Sequence, residues 1–260
     1  MRQLPGTVVD VQDPAELSQL YLNVTQKPLD DIRVRQAIAS AVNRPELVRW
    51  RATDVSREPG SVVPRFYLGF TADGGLPKFD LARARALLAE AGYPNGLTIR
   101  MVHTQNPTMF AAMQVIQAQL KRAGITLDLN VVEHATFHQM IRQDASPIVF
   151  YSAARFPVAD TYLTQFFHSR SIVRTPTAVT NFSHCTAADA DIDAARGEPD
   201  PARQSAFWAA AQRKVIAEVC AVPLIETQTA WARRSNFDYG YANKGAMATG
   251  PLFTELSSFK

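Results

Sequence analysis

The stretch whose residue types and spacing best suit metal chemistry is EHATFH, where His134 and His138 stand one helical turn apart beside Glu133. Imidazoles at that spacing can converge on one zinc ion. The glutamate precedes both histidines instead of lying between them, and no third ligand is evident. A metal-assisted hydrolase using His134 and His138 is thus the alternative reading, against a plain solvated helix start. Ser183, His184 and Cys185 bring three nucleophile-type residues together, yet side chains adjacent in sequence point apart and catalytic triads assemble across a fold. The sequence has no GxSxG elbow, no phosphate loop ending in Gly-Lys-Ser/Thr and no dinucleotide glycine fingerprint. No catalytic residue, metal or cofactor is assigned.

Cys185 and Cys220 are the two cysteines. Helices are expected at about Ala187 to Arg196 and Pro201 to Glu218, joined by the polar turn GEPD. If they pack as an antiparallel hairpin, the start of the first meets the end of the second, and a disulfide between Cys185 and Cys220 is expected in an oxidising compartment.

The elements that must position such residues follow from periodicity and punctuation. Residues 1–29 read as two short strands, VVDV and LYLNV, separated by the turn-rich VQDPAE. Asp30 and Asp31 cap a helix with Val34, Ala37, Ile38, Ala41 and Val42 on one face, and Pro45 suits the first turn of the next. The glycines and prolines of residues 53–79 predict a long surface loop. Asp80 caps a helix that Gly92 ends. LTIRMVH, a helix with Met109, Met113, Ile116 and Leu120 inward, TLDLNVV, a short helix over 135–143 and PIVFYS then alternate, which predicts a parallel sheet with right-handed crossovers. Ligands of such sheets meet the loops at the carboxyl ends of the strands, where His103 lies. A helix over Asp160 to Phe167 follows, and a last strand, AVPLIET, precedes a Gly-rich tail.

Of the 260 residues, 47% are hydrophobic and 20% charged, as in ordinary globular proteins. The net charge of +3 is dispersed, so no nucleic-acid partner is indicated. No apolar run approaches the ~18 residues of a membrane span, and the opening MRQLPGTVVDVQDPAE does not resemble a secretory signal.

Residues 21–48, YLNVTQKPLDDIRVRQAIASAVNRPELV, resemble the signature of the family 5 extracellular solute-binding proteins, which include dipeptide, oligopeptide and nickel binders of ABC importers. FDLARARALLAEAGYPNG, KRAGITLDL, NFSHCTAADADIDAAR and AVPLIET follow in that family's order. The resemblance implies an α/β, periplasmic-binding-protein-like lobe: a central, mostly parallel sheet flanked by helices, with a C-terminal helical hairpin and tail. Residues 1–29 would be strands entering from an N-terminal lobe, 20–228 the second ligand-binding lobe, and 229–260 a return segment. An export signal or lipid-anchoring cysteine would belong to the N-terminal lobe. The implied function is capture of a small polar solute, peptide-like or anionic, between the lobes and delivery to an inner-membrane ABC permease, in the periplasm or outside the cell.

In the family's peptide binders, the segment after the strand matching PIVFYS resembles W-x-x-D-x-x-D-P-x-x-F, whose first aspartate pairs with the ligand's ammonium group. Aligning Asp160 to Leu163 with the end of that motif puts Arg155 at the acidic position, Val158 and Ala159 at the Asp-Pro pair, and Tyr151 or Ser152 at the tryptophan. A guanidinium facing a cationic amine in a poorly solvated cleft is repulsive. Arg155 is therefore expected to face an anionic or hydroxyl-rich solute, with Tyr151 and Phe156 as walls, or else to be salt-bridged within its loop. The ligand-binding candidates are Tyr151, Arg155, Phe156, Asp160 and His103.

Overall fold

The chain is organised by one long strand at each end of its described core, β1 (Thr7–Leu22) and β6 (Ala221–Arg234), which pair antiparallel from Thr7↔Arg234 to Tyr21↔Ala221. In the computed structural model the described residues are 4–175, 180–241 and 251–260. Between the two strands run α1 (Ile32–Ala41), α2 (Arg44–Arg51), β2 (Ser56–Arg57), α3 (Leu81–Glu90), β3 (Leu97–Thr104), α4 (Pro107–Arg122), β4 (Ile125–Val132), α5 (His134–Arg142), β5 (Ile148–Ala153), α6 (Ala159–Phe167), α7 (Asp189–Gly197) and α8 (Pro201–Ala217). A short pair, β7 (Phe237–Asp238) with β8 (Ser258–Phe259), closes the chain.

The helices start where the sequence places short polar caps. Asp31, Asn43, Asp80, Asn106 and Asp200 each accept a bond from a first-turn backbone N–H, which satisfies donors that have no partner within the helix. Gly96 and Gly124 set the register of β3 on β4. A Cβ on Gly96, at φ +86°, would stand 2.4 Å from the Gly124 carbonyl oxygen, so only glycine lets the two strands begin side by side.

The fold is an α/β lobe, but the mostly parallel sheet expected from the strand and helix alternation is corrected. Among the strands of the described residues, β3 and β4 alone pair in parallel; the four-stranded sheet, in the order β2-β6-β1-β5, is antiparallel at every contact. Alternation describes neighbours along the chain, whereas the sheet's centre joins strands from opposite ends, one entering and one leaving. The two strands predicted in residues 1–29 are one, with the register irregular between Gln12 and Glu16. Pro14 lies there, and proline has no N–H to give a ladder. Residues 53–79 are not all surface loop either: Val62, Val63 and Tyr67 are buried. AVPLIET is the first half of the longer β6. Most of the Gly-rich tail, residues 242–250, lies outside the described residues.

Strand alternation divides the core in two. On one face of the sheet, Tyr21, Val149 and Ala153 pack with α6, α7 and α8, where Tyr21 stacks on Phe166 at 5.3 Å. On the other, Leu20, Leu22, Ile148, Phe150, Val222 and Leu224 pack with α1, α3, α4, β3 and β4. Buried arginines tie the helices down by donating to carbonyls: Arg35 to Glu218 and Leu29, and Arg44 to Pro223 and Pro77. Burial lowers the Arg44 guanidinium to about 10.

Cys185, just before α7, is joined to Cys220, just after α8, with both residues 1% exposed. The cross-link spans 35 residues and fastens this helical hairpin to the start of β6. The double variant Cys185→Ser/Cys220→Ser is expected to lose about 3–4 kcal/mol of unfolding free energy by the loop-entropy relation. Urea denaturation of the variant beside the parent checks this, and equal midpoints would contradict it.

Candidate functional site

The core face of the sheet changes character toward one end, and the change happens on three strands together. Successive residues of β1 on that face read Leu22, Leu20, Ser18, Glu16, and those of β5 read Ile148, Phe150, Ser152. Leu20 lies opposite Phe150 and Ser18 opposite Ser152, whose hydroxyls are hydrogen-bonded to each other. On β6 the register shifts beside Ser18, so that Leu224 and Ile225 both reach the same level, followed by Thr227. Apolar side chains thus give way to hydroxyls and a carboxylate at one depth.

Above this floor is a cleft of about 460 Å³. Leu47, Trp50 and Arg51 of α2 form one wall, and Met109, Ala112 and Ile116 of α4 another. Asn106, His134 and His138 close it at the carboxyl ends of β3 and β4, where helices α4 and α5 begin. The surroundings are apolar toward α2 and α4, and polar along Glu16, Ser18, Ser152, Asn106 and the histidines, the usual make-up of a small-molecule site. Burial raises the Glu16 carboxyl above its ordinary range, and the charge of Arg51 opposes that.

The two histidines touch. Their Nε2 atoms are 3.3 Å apart, and His134 Nδ1 is 3.0 Å from Thr104 Oγ1, which in turn accepts from the Asn106 N–H. The His138 ring meets Tyr151 edge-on at 5.9 Å. Burial, the neighbouring His134 and Arg142 together hold His138 below the usual imidazole range. Among the described residues no group of three His, Cys, Asp or Glu side chains gathers to hold a metal. A structural zinc site takes four protein ligands and a catalytic one three, so this pair falls short.

Of the residues that sequence reasoning put forward as ligand contacts, Tyr151 lines the cleft. His103 is fully buried beneath it, donating from Nε2 to the Met109 carbonyl at 3.2 Å among Phe110, Phe137 and Phe150. Burial depresses its basicity. Arg155 lies outside the cleft lining: its guanidinium sits over the Phe166 ring at 4.9 Å and donates to Gln165 and to the Ala154 carbonyl. Its backbone N–H donates to the Tyr67 hydroxyl, which donates back to the Arg155 carbonyl. Phe156 is 67% exposed, and Asp160 is paired with Arg196 at 3.1 Å. Sequence reasoning missed Glu16, Ser18, Trp50, Arg51 and Asn106. For Ser18 and Glu16 a signal existed: polar residues continue the alternation of the apolar Leu22 and Leu20. For Trp50 and Arg51, contributed by a helix far along the chain from β5, none did.

The family model described as bacterial extracellular solute-binding proteins, family 5 Middle, matches residues 2–173. The glutathione-binding protein GsiB of Shigella flexneri is 28% identical over 238 residues, covering 88% of this chain and 46% of that protein. The solved structure of MoaA from A. tumefaciens R10, in complex with mannopinic acid, is 50% identical with a TM-score of 0.90, covering 98% of this chain and 52% of the other. DppA from Helicobacter pylori in complex with peptide STSA is 23% identical with a TM-score of 0.82, covering 94% and 48%, and shows the fold alone. The chain therefore spans about half the length of the proteins it matches. With two imidazoles and no third ligand among the described residues at His134 and His138, the purified protein is expected to retain far less than one equivalent of zinc after dialysis. Metal analysis by mass spectrometry checks this, and stoichiometric zinc would reopen the hydrolase reading.

Proposed function

The chain belongs to the bacterial extracellular solute-binding proteins of family 5, and from that premise we propose that it is the second lobe of a binding protein that captures a small carboxylated solute and hands it, unchanged, to an ABC importer. Residues 20–228 form the lobe, with 1–29 and 229–260 running to and from an N-terminal lobe that completes the cleft. The protein works outside the cytoplasmic membrane, in the periplasm or at the cell surface, with the membrane permease as its protein partner.

The observation that carries the reading is the cleft at the carboxyl ends of β3 and β4, floored by Ser18 and Ser152 and walled by His134, His138 and Arg51. It offers hydroxyls, imidazoles and one guanidinium to a polar solute, and Trp50 and Tyr151 as flat apolar surfaces. Arg155 stands at the sequence position where the resemblance puts a peptide binder's acidic anchor, and the carboxylate that does line the cleft, Glu16, is raised toward its neutral form by burial, against the charge of Arg51. The 50% identical relative binds mannopinic acid, which is a solute of the acidic class. Exposed apolar side chains at both ends of the described chain, among them Leu4, Val11, Leu252, Phe253 and Phe259, supply the surface that a second lobe would cover. The Cys185–Cys220 bond suits an oxidising compartment.

Titration calorimetry on the two-lobed protein tests the proposal. Mannopinic acid is expected to bind at least about tenfold more tightly than a neutral dipeptide such as Met-Leu, a difference of about 1.4 kcal/mol. Tighter binding of the dipeptide would overturn the carboxylated-solute reading.

A further inference from the structure

A solute carboxylate in this cleft needs a receiving group, and the geometry points to the His134–His138 pair as that group, acting as one unit that takes up a single proton when the solute binds. The inference rests on the carboxylated-solute reading and deepens it.

The hydrogen bonds dictate how many protons the pair can hold. With Nε2 facing Nε2 at 3.3 Å, one ring must donate and the other accept. Two neutral rings satisfy this in either sense, because Thr104 Oγ1 can donate to His134 Nδ1 or accept from it at 3.0 Å. One added proton keeps the contact intact: the charged ring donates through Nε2, His134 Nδ1–H donates to Thr104, and His138 Nδ1 carries a hydrogen. A second added proton would set two N–H groups head to head and break the contact. The pair is therefore built to hold one positive charge, shared over both rings, and no more. His138 Nδ1 is buried with no hydrogen-bond partner among the described residues.

The surroundings keep that charge off until an anion arrives. Arg142, on the same helix, donates to the His138 carbonyl at 3.0 Å, and Arg51 lines the cleft from α2. Both positive charges oppose a third. Of the acids, Glu133 is held ionised by the Ala135 and Thr136 N–H groups donating to its Oε2, and its charge favours a proton on the His134 side of the pair, so the opposition to charge falls on His138. Glu16 of β1 is raised toward its neutral form by burial. From β5 the pair meets Tyr151, and from β3 Thr104, neither of them charged. At His138 burial is the largest cause of the lowered basicity, ahead of the neighbouring His134 and Arg142. A solute carboxylate in the cleft reverses the balance by stabilising the imidazolium, so the bound state titrates at higher pH than the free one. Affinity then rises as pH falls through the interval between the two values, by at most about tenfold per pH unit for one linked proton.

The test is calorimetry of the two-lobed protein with mannopinic acid near pH 7.5 in phosphate and in Tris, buffers of very different ionisation enthalpy. Expected are an uptake approaching one proton per solute and a dissociation constant that drops by about fivefold to tenfold per unit between about pH 8 and pH 6. In His138→Gln the uptake should fall toward zero and the pH dependence flatten, whereas in Arg51→Ala the uptake should persist. Equal binding enthalpies in the two buffers would overturn the assignment, since a carboxylate received by Arg51 takes up no proton. Absence of any binding heat would overturn the solute reading itself, and the assignment with it.

Discussion

Everything in this lobe is arranged around the stretch Leu17–Leu22 of β1, whose two edges are both hydrogen-bonded and whose two faces are both covered. β5 pairs with one edge and β6 with the other, and all six of its residues are buried. No backbone donor or acceptor there reaches water, so each must find its partner within the sheet. A slip by one residue would turn Leu20 and Leu22 into the aromatic cluster and Tyr21 onto the opposite helices, a penalty that locks the register. The helices on each side can then be specified by their apolar stripes alone, because the sheet beneath them cannot shift.

The cleft follows from the same strand. Its floor is the continuation of the core face beyond the point where leucines stop, and its histidine wall stands where a parallel pair, set by Gly96 against Gly124, ends and the helix caps begin. Side chains from β1, β5, β6, α2, α4 and α5 meet there although they are scattered from Glu16 to Thr227. The cross-link from Cys185 to Cys220 and the buried Arg35 hold α8 against the start of β6, which keeps that strand in line with the floor.

Local chemistry was the part of the fold most readily read from the residues. Caps such as Asp31 and Asp80, the left-handed Gly92 and the apolar stripe from Met113 to Leu120 act within a few positions, and the helices lie close to where these place them. The sheet was harder, because no local pattern records that β1 will pair with a strand about two hundred residues away. The family resemblance, carried by residues 21–48 and by four later segments in the same order, reached the α/β lobe, since an ordered set of segments reports on the whole chain. At the site, the alignment around PIVFYS put forward Tyr151, which lines the cleft. Arg155 occupies the sequence position of an anchor yet bonds sideways to Gln165, an outcome decided by Phe166 and Tyr67, which no spacing rule connects to it. His134 and His138 drew attention as metal ligands for their spacing, and what distinguishes them is a third neighbour, Thr104, from a different strand.

The step from Leu20 and Phe150 to Ser18 and Ser152 separates two tasks along a single pair of strands. Side chains inside that step fill the packed layers; at the step itself Ser18 and Ser152 keep their backbone places in the sheet while their hydroxyls line the cleft. Related lineages could therefore exchange the outer pair, and Glu16 with it, to suit a new nutrient while the scaffold stays unaltered, which makes this boundary the place where diversification is cheapest.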